Sequence, residues 1–189
     1  MRKLKLQIQS TINGFVGGPN GENDWMTWNP DPEFVEFLKT LLDTSDTLLV
    51  GRKLATGGFI DFWEKTAKEN PAHPFAQKIA DLPKVVFTKT LDQSTWNHTT
   101  LATGDLTEEI AHLKQQEGKD LLVFGGAGFV SSLIQADLID EYHLILNPTA
   151  MATGMTIFSS LTGIKKFTPT QARLFPGGKT VLSYSSSKS

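Results

Sequence analysis

The stretch Asp120-Leu-Leu-Val-Phe-Gly-Gly-Ala-Gly-Phe-Val130 constrains the fold more than any other. The apolar run Leu121 to Phe124 reads as a strand buried on both faces. It runs into Gly125, Gly126 and Gly128, after which Phe129, Leu133 and Ile134 recur at helical spacing. A strand that ends in glycines and restarts as a helix leaves backbone N–H groups at a positive helix terminus, good ground for a phosphate or pyrophosphate. A tight strand-to-helix turn that needs glycine only for its backbone angles has the same spelling. The rest of the chain has to decide between the two.

Upstream, residues 3–9 alternate, with Leu4, Leu6 and Ile8 on one side and Lys3, Lys5, Gln7 and Gln9 on the other, the pattern of a strand with one face toward a core. The segment 10–25 carries Gly14, Gly17, Gly18 and Gly21 and is mobile by composition. Such a loop either connects elements at the surface or closes over a ligand, and its apolar Phe15, Val16 and Trp25 favour closure. Asp31 and Pro32 mark a helix start as N-cap and first helical residue. Phe34, Phe37, Leu38, Leu41 and Leu42 then form one apolar stripe. Residues 47–50 read as a second buried strand, which ends in Gly51, Arg52 and Lys53. Cations there are either solvated or meet a phosphate, and an arginine directly after a strand-end glycine suits the latter.

Residues 57–63 are aromatic-rich and read as irregular. His73-Pro74-Phe75 opens a short helix with Phe75, Ile79 and Leu82 on one side. Residues 84–87 form another strand, again followed by hydroxyls and a cation, Thr88-Lys89-Thr90. Asp105 caps a helix, with Glu108 as its reciprocal partner, Gly118 as its stop and Leu106, Ile110 and Leu113 as its buried stripe. Beyond residue 141 the pattern changes: 142–146, 166–175 and 180–184 are strands, the last two joined by the hairpin turn Phe175-Pro-Gly-Gly-Lys179. Alternating strands and helices followed by an antiparallel unit describe a mixed-sheet α/β domain. The expectation is a single domain over 1–185 with a frayed tail at 186–189.

Composition narrows the chemistry. At 189 residues the chain suits one sizeable core, and 39% hydrophobic with 20% charged residues is ordinary for a globular protein. A net charge of −2 leaves no basic footprint for nucleic acid. Cysteine is absent, which removes disulfides, thiolate zinc sites and a cysteine nucleophile. His73, His98, His112 and His143 are scattered without metal-ligand spacing. No Gly-Lys-Ser/Thr follows the glycines, so there is no P-loop, and no Gly-x-Ser-x-Gly elbow marks a serine hydrolase. The Rossmann fingerprint is absent too, since Gly126-Ala-Gly128-Phe-Val-Ser131 lacks its third glycine. With no signal-peptide core and no apolar run long enough to span a bilayer, the expected location is cytoplasmic.

Ligands bind outside the carboxyl ends of the strands in parallel α/β sheets. Gly51-Arg52-Lys53, Thr88-Lys89-Thr90 and Gly125-Gly126-Ala127-Gly128 are therefore expected to converge on one edge. A dinucleotide with an extra phosphate satisfies all three. Arg52, Lys53 and Lys89 exceed what a bare ribose needs and favour NADPH over NADH.

Taken together, these segments resemble the dihydrofolate reductase superfamily, and within it the branch similar to the reductase domain of bacterial riboflavin biosynthesis. The resemblance is carried by Ser10-Thr-Ile-Asn-Gly-Phe-Val-Gly-Gly-Pro-Asn-Gly with Asp24-Trp25, by Leu49-Val-Gly-Arg-Lys53, by Val123-Phe-Gly-Gly-Ala-Gly128, and by Leu138-Ile-Asp-Glu-Tyr142 through Asn147-Pro148, with Gly154 and Phe158 fitting the segment after. It covers essentially the whole chain.

The resemblance implies a dihydrofolate reductase-like domain with a mixed, mostly parallel sheet flanked by helices and a C-terminal antiparallel hairpin. It matches Gly51, Arg52 and Lys53 to the segment holding adenosine-side phosphates, and Thr88, Lys89 and Thr90 to the one receiving the 2′-phosphate. Gly125, Gly126, Ala127, Gly128 and Phe129 match the glycine turn over the pyrophosphate, whose Gly-Gly peptide is often cis in the family. Val16 and Gly17 match the flexible loop beside the nicotinamide. On the substrate side, Asn13 stands where the branch commonly has aspartate. Glu33 is preferred over Asp31 and Glu36 as the carboxylate on the first helix. The implied activity is NADPH-dependent hydride transfer to a small heteroaromatic or ribosylaminopyrimidine substrate. A dihydrofolate reductase and a non-catalytic NADP(H)-binding protein are the alternatives. A homodimer is the implied assembly. A bifunctional enzyme is not expected, because these residues carry no His-x-Glu with Cys-x-x-Cys deaminase signature.

Overall fold

A computed structural model describes residues 1–28 and 31–187. In chain order the elements are β1 (Leu4–Thr11), α1 (Pro32–Asp43), β2 (Ser45–Gly51), α2 (Arg52–Thr56), α3 (Phe59–Glu69), α4 (Ala76–Asp81) and β3 (Lys84–Phe87). They continue as β4 (Thr99–Ala102), α5 (Leu106–Gln115), β5 (Asp120–Val123), α6 (Ala127–Gln135), β6 (Glu141–Asn147), β7 (Phe167–Leu174) and β8 (Thr180–Ser186). The strands form one sheet in the order β4-β3-β2-β5-β1-β6-β8-β7. Neighbours from β4 to β6 are parallel, whereas β8 is antiparallel to both β6 and β7. This is the expected mixed sheet with its C-terminal hairpin.

Strand periodicity sorts the core into two layers. Leu4, Leu6 and Ile8 of β1 pack with Ile110 and Leu113 of α5 and Val130, Leu133 and Ile134 of α6 on one face. On the other face, Leu48, Val50 and Leu122 meet Leu42 of α1, Ile60 of α3 and Ile79 of α4. Phe34 of α1 extends that layer over Ile145, Phe175 and Val181. Among the described residues, no helix is long and apolar enough to cross a membrane.

Several local expectations need correction. Alternation predicts that β1 has one face toward the core, but Lys5 and Gln7 are each only 8% exposed. β1 is a central strand between β5 and β6, so helices cover both its faces, and Lys5 is accommodated by Asp120 at 2.8 Å. Residues 59–63 are not irregular but begin α3, which starts after Gly58 at φ +91. Its aromatics have modest helix propensity, and packing of Ile60 against the sheet overrides it. β4, which the sequence pattern did not suggest, pairs only at the edge beside β3.

Asp105 caps α5 as expected, accepting from the Thr107 and Glu108 amides. The carboxylate that returns to the backbone is Glu109, to the Gly104 N–H, rather than Glu108. The helix ends at Gln115, and Gly118, at φ +140, lies in the turn beyond. At the C-terminus, Ser186 still pairs through its N–H with the Asp140 carbonyl, and residues 188–189 of the expected tail lie outside the described residues.

Candidate active site

Because β1 to β6 run parallel, their carboxyl ends share one edge, and the three anion-competent segments follow β2, β3 and β5 there. β2 lies between β3 and β5, which makes the three segments neighbours. The closest approach is between Gly51 and Phe129, where a Cβ on Gly51 would stand 2.6 Å from the Phe129 Cβ. The Phe129 ring in turn packs at 4.9 Å on Phe87, the last residue of β3.

The glycine turn is built by φ. Gly125 and Gly126 have φ of +150 and +85, values that L side chains rarely adopt, and Gly126 is the N-cap of α6 without any side-chain cap bond. The Gly125–Gly126 peptide is trans, since no cis bond occurs among the described residues. The positive φ values reverse the chain without one. The first-turn amides of α6 therefore face the edge with no side chain of their own to accept them, an arrangement suited to an anion. A Cβ on Gly125 or Gly128 would meet nothing within 4 Å, so the space beside the turn is open.

Around this turn the candidates are engaged differently. Arg52 and Lys53 open α2 and have no ion-pair partner among the described residues. The Lys89 ammonium donates to the carbonyls of Thr103, at 2.8 Å, and Gly104, which ties it to the end of β4. Thr88 is buried, and its hydroxyl accepts the amides of Thr90 and Leu91, each at 3.1 Å, so it shapes the turn in which Lys89 and Thr90 stand. The loop after β1 is pinned: Val16 N–H donates to the Met155 carbonyl, Met155 N–H donates to Gly17, and Gly154 leaves only 2.5 Å between a hypothetical Cβ and the Gly17 oxygen.

Asn13 stands at the same edge, just beyond β1, whereas Glu33 lies apart from that convergence. The Asn13 amide oxygen accepts from the Thr11 hydroxyl (2.8 Å) and the Met151 N–H (3.3 Å), while its nitrogen donates to the Met151 carbonyl (2.7 Å). It clamps the loops after β1 and β6, and an amide has no titrating proton to offer. Glu33 is exposed and pairs with Arg173 of β7 at 2.7 Å, at the opposite end of the sheet from β2 and β3. Asp31, the N-cap, accepts from the Gly177 N–H at 2.6 Å. That bond, with further ones from Glu33 and Phe34 N–H, holds its carboxyl below the usual range.

A second polar group stands at the same edge; the sequence assigns it no site role, although Asn147 lies in a segment that carries the resemblance. Asn147, fully buried at the end of β6, donates to Gln9 Oε1 at 3.0 Å and to the Ser10 carbonyl. Its oxygen accepts from the Thr27 N–H and hydroxyl and from the Lys179 ammonium. Lys179 also donates to Gln9 Oε1 at 3.1 Å. The available signal was Lys179 closing a Pro-Gly-Gly turn, together with glutamines on a central strand.

Comparison with known proteins bears on this arrangement. A family model described as the RibD C-terminal domain matches residues 2–179. Among curated relatives, the uncharacterized protein YyaP of Bacillus subtilis is 28% identical over 187 residues, covering 97% of this chain and 94% of its own. YwjB of the same organism is 26% identical over 168 residues, covering 87% of each. Among solved structures, a putative riboflavin biosynthesis protein from Shewanella sp. PV-4 superposes with a TM-score of 0.74 at 20% identity, with both chains fully covered. A Thermotoga maritima diaminohydroxyphosphoribosylaminopyrimidine deaminase/5-amino-6-(5-phosphoribosylamino)uracil reductase gives a TM-score of 0.66 at 15% identity, covering 98% of this chain and 56% of that one.

Proposed function

Since the chain belongs to the RibD C-terminal domain family, we propose that it is an NADPH-dependent reductase acting on a small heteroaromatic or ribosylaminopyrimidine substrate. The observation that carries this proposal is the convergence of the uncapped α6 turn, Arg52 with Lys53, and Lys89 on one sheet edge. The residues fit the cofactor: open space beside Gly125 and Gly128 admits a pyrophosphate, and unpaired cations stand next to it. When bound, the cofactor supplies a hydride.

The chain's own residues bind and orient. The α6 amides hold the pyrophosphate, Arg52 and Lys53 take the adenosine-side phosphates, and Lys89 holds a positive charge where the turn after β3 receives the 2′-phosphate. The pinned Val16–Gly17 segment walls the nicotinamide side and excludes water. A carbonyl or imine carbon at this edge is the class of acceptor that hydride chemistry calls for.

The test is a titration with NADPH and NADH, following quenching of the four tryptophans. NADPH is expected to bind more tightly. Arg52→Ala is expected to weaken both cofactors by roughly tenfold or more, as ~1.5–3 kcal/mol per charge-assisted bond implies, whereas Lys89→Ala is expected to weaken NADPH by as much with a much smaller effect on NADH. Equal losses for both cofactors in Lys89→Ala would exclude a 2′-phosphate contact. Binding of NADPH without its consumption across dihydrofolate and aminopyrimidine substrates would favour a non-catalytic binding protein.

A further inference from the structure

Among the described residues, every buried cation but one is met by a carboxylate or a helix end. Arg2 meets Asp46, Lys5 meets Asp120 and Lys114 meets Asp140, each a direct ion pair. Lys84 caps the end of α4 by donating to the Ala80 and Leu82 carbonyls. Lys179, 3% exposed and immediately before β8, has neither a carboxylate nor a helix end beside it among the described residues. Its ammonium donates to the side-chain oxygens of Gln9 and Asn147, and its third N–H has no acceptor among the described residues.

Its location is as informative as its isolation. Lys179 Nζ lies 3.1 Å from Gln9 Oε1, which puts the ammonium over β1 near its carboxyl end. β1 neighbours β5, whose end carries the glycine turn, so one strand spacing of about 4.8 Å separates the two lanes. The Phe34 ring, 5.6 Å away, places the amine on the α1 side of the sheet. The charged and titratable groups of the surrounding elements nearest this end are Asp31 and Glu33 of the α1 start, Arg173 of β7 and His143 of β6. Lys5 of β1, Glu36, Lys39 and Asp43 of α1, Glu141 and Tyr142 of β6 and Tyr184 of β8 lie farther along the same elements. Asp31 is engaged by Gly177, Glu33 by Arg173, His143 by Ser183 and Lys5 by Asp120. An uncompensated buried cation is costly, and such groups concentrate where a site uses them.

We propose that Lys179 is the proton donor to the hydride acceptor in the proposed reductase, an assignment that rests on the reading of the site as a reductase. Hydride from the reduced nicotinamide adds to the carbon of a C=N or C=O bond, and its electron pair forms the new C–H bond. The π pair moves to nitrogen or oxygen, which takes a proton from the Lys179 ammonium. Lys179 is left as a neutral amine and is reprotonated from solvent. Gln9 and Asn147 hold the amine in place. Burial lowers its pKa to about 8, close to what a general acid working near neutrality requires.

The experiment uses the full chain with NADPH and 5-amino-6-(5-phosphoribosylamino)uracil as the probe. Three readouts are taken: NADPH affinity by tryptophan quenching, the pH profile of NADPH oxidation, and the NMR titration of Lys179 in ¹³Cε-lysine-labelled protein with and without probe. Wild-type turnover should fall about tenfold per pH unit above about 8. Lys179→Met and Lys179→Arg should each lose roughly a hundredfold or more and show no such limb, because neither side chain releases a proton there. NADPH affinity should stay within threefold of wild type, and the Lys179 resonance should move when the probe binds.

Turnover within threefold of wild type in Lys179→Met, a retained alkaline limb, or a Lys179 resonance indifferent to bound probe would overturn the assignment. If wild type binds NADPH and the probe shifts Lys179 yet no NADPH is oxidised, the proton-donor role fails while the site stands. If wild type binds neither, the reductase reading itself fails and the assignment with it.

Discussion

Gly51→Val is expected to abolish NADPH binding and to destabilise the fold. Gly51 has φ −74 and ψ 145, a backbone that any residue adopts, so glycine is required there for space alone. A Cβ would lie 2.6 Å from the Phe129 Cβ and 3.0 Å from its Cγ. The nearest atom is attached to the α6 backbone, so a rotamer change cannot relieve the clash. The first turn of α6 must instead move off β2. Overpacking of this kind costs about 1–3 kcal/mol, and valine adds two further methyl groups to the collision. The same movement carries the uncapped amides away from Arg52, so stability and cofactor affinity fall together. Urea denaturation and the NADPH titration check this, with Gly51→Ala as the milder form of the same collision. An unchanged midpoint with NADPH affinity within threefold of wild type would show that β2 and α6 do not pack in this way.

Lys179→Met is expected to do the opposite and raise stability at neutral pH. The ammonium is buried with no carboxylate beside it among the described residues, and desolvation brings its pKa from 10.5 to about 8. The folded state therefore releases this proton at a lower pH than the unfolded state does. The burial penalty is absent above about 10.5, grows as pH falls, and is complete below about 8, where it approaches ~3 kcal/mol as an upper bound. Methionine keeps most of the stem volume, and neither acceptor is orphaned: Asn147 retains Thr27, and Gln9 retains the Asn147 amide. The variant should be the more stable protein at pH 7, and the difference should shrink between pH 8 and 10.5. Paired denaturant titrations across that range measure it, and a variant less stable at pH 7 would mean that Lys179 is compensated after all. A lysine kept at such a cost is what the proposed role of Lys179 as proton donor would account for.

Much of the site is local in origin and was legible early. Apolar runs ending in Gly51, in Thr88 and in Gly125 specify strands followed by anion-competent turns, and Asp31 with Pro32 specifies where α1 begins. Parallel order of these strands follows from the helices between them, so their convergence at one edge is an expectation of the sequence alone. Local signals failed where neighbours decide the outcome. Glu109 rather than Glu108 returns to the backbone, because Gly104 presents the N–H within its reach. Helix α3 forms through aromatics that look irregular in sequence, because the sheet buries Ile60 and half-buries Trp63.

The amino-acid sequence by itself determined the fold class, the family and the three anion-competent segments, since each depends on residues close together in the chain. Only the tertiary structure decided which polar groups are buried and whom they meet. A period of two assigns Gln7 and Gln9 to one side of β1 but says nothing of what covers that side. Gln9 meets Lys179 across 170 positions and Asn13 meets Met151 across 138, separations at which no local pattern carries information. Packing of α1 against the sheet desolvates Lys179, and the missing counter-charge is a property of the assembled edge, not of any segment in it.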